Sequence, residues 1–149
     1  MALDTDNILT SVLNVLRNNT STIASSITSV SIGKIRGGDA PIAMNQYPAI
    51  IVKLANKEEE FDQIGQRNNF HDLSFDIIAM LNYDIGTSES DQEVRKMTRG
   101  IKHVLKANNT LSNTVAWIIT DVVEYFPHVY DGIFVSAAKI KLKTFQWSL

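Results

Sequence analysis

The closing stretch of this chain, Val115 to Leu149, most limits what it can fold into. Val115, Trp117, Ile119, Val123 and Tyr125 fall on one face of an extended strand, and Ala116, Ile118, Val122 and Phe126 on the other. Tyr130, Asp131 and Gly132 then signal a turn, after which Ile140 and Leu142 alternate with Lys139, Lys141 and Lys143. A strand apolar on both faces needs cover on both, because exposed apolar area stays unfavourable. A chain of 149 residues has little structure to spare for covering two faces, which points to a partner subunit.

The same length fits one domain over residues 1–149. A chain of this size buries roughly 70% of its unfolded surface, enough for a genuine core. The formal net charge of −2 argues against general nucleic-acid affinity through bulk charge, leaving only a local basic stripe to consider. The chain has no cysteine, which excludes disulfides, thiolate zinc sites and a cysteine nucleophile. No apolar run is long enough to cross a bilayer, so no membrane partner is expected. Met1-Ala2-Leu3-Asp4 lacks a basic stretch before an apolar core, so no secretion signal is expected, and the N-x-S/T triplets at Asn18, Asn19 and Asn108 read as accidental.

Ile8, Leu9, Val12, Leu13 and Leu16 recur at helical spacing between Asp4 and Asn18, with Asp4, Thr5 or Asp6 to cap the start. Thr20 to Ser31 is rich in hydroxyls that compete for backbone hydrogen bonds, so it reads as a weak short helix, with Val30, Ile32 and Ile35 able to open a strand instead. Gly37, Gly38, Asp39 and Pro41 mark a loop. Ala49 to Leu54, led by Tyr47-Pro48, is a strand with proline at its mouth. Asn56 to Asn69 is polar and reads as a hairpin arm or a mobile loop long enough to carry a contact. Leu73, Phe75, Ile77, Ala79, Leu81 and Tyr83 alternate as a strand. Asp91 to Lys106 is an amphipathic helix with Val94, Met97, Ile101, Val104 and Leu105 inward, basic residues towards its end, and Asn108 and Asn109 as stops. The expected class is therefore α+β, an antiparallel or mixed sheet flanked by two main helices.

Catalytic patterns are weak. His71, His103 and His128 are far apart and form no metal-binding motif. His71, Asp72 and Asp76 could serve a small hydrolase or ligand-binding domain, but a polar strand face explains them more simply. Asp4 and Asp6 have the opening spacing of a calcium loop without its glycine or distal glutamate. Gly33-Lys34 and Gly37-Gly38 do not follow phosphate-loop order, and no G-x-S-x-G elbow occurs. No cofactor or metal is expected. Two charged features remain. Glu58, Glu59 and Glu60, followed by Phe61 and Ile64, could make an electrostatic contact from a projecting arm. Lys139, Lys141 and Lys143 share one strand face, either as a solvated face that discourages edge aggregation or as a basic stripe meeting a negative partner or DNA in a pore. If that face is simply solvated, Lys139→Glu with Lys141→Glu should leave the fold intact.

The succession of an amphipathic helix at Ile8 to Leu16, the strand Tyr47-Pro48-Ala49-Ile50-Ile51-Val52, the alternating strand Leu73 to Tyr83, the helix Asp91 to Lys106 and a final strand pair around Asp131-Gly132 resembles the tail terminator (tail completion) proteins of long-tailed bacteriophages. The match is one of length, order and pattern over nearly the whole chain. The hydroxyl-rich Thr20 to Ser31 is longer and more polar than that pattern. The resemblance implies a non-enzymatic virion protein of the tail or neck, assembled in the host cytoplasm. It would form a ring-forming subunit, six copies to the ring, seated on the last ring of tail tube protein. The ring would stop tube growth, dock a head completion or connector protein, and let DNA through its lumen without reading sequence. A head–tail connector of another type is the neighbouring alternative.

Overall fold

A computed structural model describes residues 5–25, 32–38, 47–55, 59–61, 70–81, 88–111, 115, 117–130 and 133–147. The chain runs through helices α1 (Thr5–Asn18) and α2 (Thr20–Ser25) into strands β1 (Lys34–Gly37), β2 (Ala49–Leu54), β3 (Glu59–Phe61) and β4 (Phe70–Leu81). Helix α3 (Ser88–Ala107) and the long strands β5 (Trp117–Tyr130) and β6 (Ile133–Trp147) follow. The strands form one sheet in the order β1-β2-β4-β6-β5, with β3 beside β4. Because β1 pairs parallel to β2 and the other neighbours are antiparallel, the sheet is mixed and the fold is α+β, as the sequence pattern implies.

The helices cover one face of this sheet. Helix α1 packs against β1 and β2, and α3 against β4, β5 and β6. The stripe Val94, Met97, Ile101, Val104 and Leu105 is buried, together with Ile8, Val12 and Leu16 of α1. They meet Ile50 and Val52 of β2, Leu73, Phe75, Ile77 and Ala79 of β4, and Ala138, Ile140 and Leu142 of β6 in one core. Strand alternation puts these residues on a common face, and the pairs Val52↔Ile77, Ile77↔Ile140 and Phe75↔Leu142 set them side by side. Inside the core, the Thr144 hydroxyl donates to the Leu73 carbonyl across 3.1 Å, so this buried polar group is satisfied.

Both main helices stop in the same way. The Asn19 side-chain amide donates to the Val15 carbonyl at 2.7 Å, and that of Asn108 to the Val104 carbonyl at 2.8 Å. Each satisfies a carbonyl that the ending helix leaves without an intrahelical partner. Arg17, in the last turn of α1, donates through Nε and Nη2 to the Ile35 carbonyl at 3.2 and 2.9 Å, tying that helix to the edge strand β1. Strand β1 runs through Gly37, into the stretch that the sequence reads as loop, because Ile35 is buried and pairs with Ile50. Gly38 follows at φ +84° and donates its N–H to the Val52 carbonyl at 3.1 Å. That backbone conformation favours glycine, so Gly38→Ala should cost about 1 kcal/mol, read as a lower midpoint in urea unfolding with an unchanged slope.

The reading of the closing hairpin needs one correction. Register runs Trp117↔Phe145 to Val122↔Ile140, then resumes at Glu124↔Lys139, leaving Val123 as a bulge. One extra residue reverses the alternation beyond it. Tyr125 is therefore opposite Ala138, on the helix side, and Phe126 is opposite Ala137, on the other side; uninterrupted alternation puts them the other way round. The pair Tyr130↔Ile133 closes the hairpin around Asp131 and Gly132, which lie outside the described residues.

Candidate assembly surface

The sheet face away from the helices has two zones. At one end Tyr47, Ala49, Ile51, Met80 and Ala137 form a second buried cluster, with Ile78 packed against it. These side chains are sheltered within the chain, whereas the closing strand, from which the expectation of an uncovered face comes, exposes Ile119 and Tyr125. The other zone is polar, and register orders it. Lys53 is opposite Asp76, Asp76 opposite Lys141, and Lys141 opposite Asp121, so signs alternate across the four strands β2, β4, β6 and β5. Lys139 Nζ lies 3.6 Å from Asp76 Oδ2 and is opposite Glu124. Lys143 sits between Ser74 and Ile119, and Trp117 stacks on Phe145 with ring centroids 5.0 Å apart.

Two of the lysines singled out from the sequence therefore have carboxylates beside them in their own chain. Opposite charges directly across a sheet attract, and Asp76 is nearly buried, so the contact at Lys139 is stronger than an exposed pair. The basic row is part of a neutralised lattice, which weakens its case as a DNA-facing stripe. Asp76 is held by this lattice, and alternation along β4 puts position 71 on the face opposite to positions 72 and 76. The hydrolase grouping of His71, Asp72 and Asp76 is thereby split between two faces. His103 is exposed on α3, and among the described residues no group of three metal-ligating side chains is gathered.

The acidic segment is a hairpin arm where the structure describes it. Glu59 pairs with Asp72, Glu60 with His71 and Phe61 with Phe70, on the same side of β4 as β2. Glu58 and Ile64 lie outside the described residues. The arm continues on the β2 side past Leu54, which is 38% exposed, at the level where β4 pairs with Phe145 to Trp147 of β6.

No local pattern marks β5 as the last strand of the sheet, because strand order depends on contacts distant in sequence. β5 spans 14 residues and pairs only with β6 among the described residues. It exposes an apolar side chain on each face, Ile119 at 47% and Tyr125 at 46%. The bulge at Val123 and Pro127 protect its second half from pairing, but Trp117 to Val122 carries neither device. Beside that first half is a cleft of about 320 Å³ lined by Lys106, Asn109, Ile118, Ile119 and Thr120. Ile119→Lys should leave thermal unfolding within about 0.5 kcal/mol of the parent, since the side chain is half exposed, while lowering any self-association measured by light scattering.

No protein-family model matches this chain, and no curated protein matches it significantly in sequence.

Proposed function

We propose that this chain is a structural subunit of a tailed bacteriophage, a tail terminator whose copies, six to the ring, close on the end of the tail tube. In this role it stops tube growth and presents a docking surface to head completion or connector protein, with no chemical step. DNA passes through the lumen without sequence-specific contact. The protein is part of the virion, in its tail or neck, and assembles in the host cytoplasm.

The observation that carries this reading is the position of two association features at opposite ends of one sheet. The arm of β3 and β4 is on the β2 side, and the free strand β5 terminates the other side. A subunit with unlike contacts at its two ends joins head to tail, and such contacts make a ring when the rotation closes. The order of α1, the strand after Tyr47-Pro48, β4, α3 and the closing hairpin also supports it, being the order on which the resemblance rests.

The test is electron microscopy of the purified protein mixed with tail tubes of such a phage, followed by addition of free tube protein. A ring at one end of each tube and arrested elongation are expected. Bare ends with continued growth would remove the proposal, and a ring bound to the head portal instead would identify the other type of connector.

A further inference from the structure

The basic residues of α3 are arranged for more than their helix dipole. Arg95, Arg99, Lys102 and Lys106 follow one another at spacings of four, three and four, which places them on one stripe of the helix. On the other flank Glu93 and Gly100 are buried, and α3 has α1 and α2 as helical neighbours. With Thr98 and Leu105 buried on the remaining flank, the basic stripe lies on the side of α3 away from its buried face, and at the end of the stripe Lys106 lines the cleft beside Ile118, Ile119 and Thr120. One cation, Lys106, thus stands beside the unprotected half of β5, at the C-terminal end of the stripe.

We propose that this groove accepts an extended acidic segment as an added strand on the edge of β5, and that its occupant is the Glu59–Phe61 arm of a second copy. This rests on the ring reading above and specifies the contact that would build it. An added strand gains main-chain hydrogen bonds from the open edge, and its side chains select the partner. The arm supplies an extended backbone, already paired to β4 on one side, and the run Glu58-Glu59-Glu60 supplies charge opposite to that of the stripe. Phe61 adds an apolar group suited to the exposed Ile119. Because donor and acceptor are at opposite ends of the sheet, each copy gives its arm to one neighbour and receives an arm from the other.

The absence of cysteine makes the test direct. A full-length Glu60→Cys variant is mixed with a full-length Thr120→Cys variant under mild oxidation, with Asn14→Cys, exposed on α1, replacing the acceptor as control. A mixed disulfide between Glu60→Cys and Thr120→Cys is expected, forming about tenfold or more slowly when the acceptor also carries Lys102→Glu and Lys106→Glu. Circular dichroism confirms that each variant is folded. A yield no higher than with Asn14→Cys, or one indifferent to the reversed charges, overturns the proposal. Native mass separates it from the ring reading: closed rings without the cross-link keep the ring and reject the arm, whereas cross-linked open chains keep the arm and reject the closed ring.

Discussion

Phe75→Ala is expected to cost about 3–5 kcal/mol, a large share of the stability of a domain this size. Phe75 is fully buried near the middle of β4, between Leu54 of β2 and Leu142 of β6, beneath the helices. Its removal takes away apolar area and leaves a cavity in a sheet whose neighbours are held in register and cannot collapse freely. Urea unfolding followed by far-ultraviolet circular dichroism measures the loss. A cost below about 1 kcal/mol would mean that β4 is not at the centre of the core.

Lys139→Glu with Lys141→Glu is the second large effect. A solvated lysine row predicts a neutral outcome. The register predicts otherwise, because the two new carboxylates would face Asp76 and Asp121 across the sheet, with position 139 paired with a further acidic residue. Asp76 is only 9% exposed, so it has little water to screen the repulsion. Losing the 3.6 Å contact with Lys139 and adding like charges should destabilise by about 2–4 kcal/mol. Lys139→Gln with Lys141→Gln should cost less than half of that, since it removes attraction without adding repulsion. Failure of the doubly reversed protein to assemble would therefore report on folding, and the stripe on α3 is the better place to reverse charge when asking about partners.

The local elements were legible because each rests on neighbours in sequence. The stripe Val94 to Leu105 and the alternation Leu73 to Leu81 specify their elements through period alone, and the structure buries those residues as the pattern requires. Asn108 was readable as a helix stop because its side chain acts on a carbonyl only four residues back. The bulge at Val123 was not readable, since Val122 and Val123 fit either phase of a strand and only the partner strand decides between them. The charge lattice was half readable: Lys139, Lys141 and Lys143 announce a common face, but Asp76 and Asp121 join it only through pairing across the sheet. The spacing of Arg95, Arg99, Lys102 and Lys106 was in the sequence throughout. A helix dipole accounts for cations near the last turn, and only the cleft at Lys106 connects the end of the stripe with β5.

Association of copies is the claim from which the functional reading follows, and native mass tests it most directly. Light scattering on the purified protein at low salt should give a closed particle of six times the 16.6 kDa of one chain, or that mass added to the tube's once tube protein is mixed in. A mass of one chain in both states, at every concentration and salt, would contradict the account.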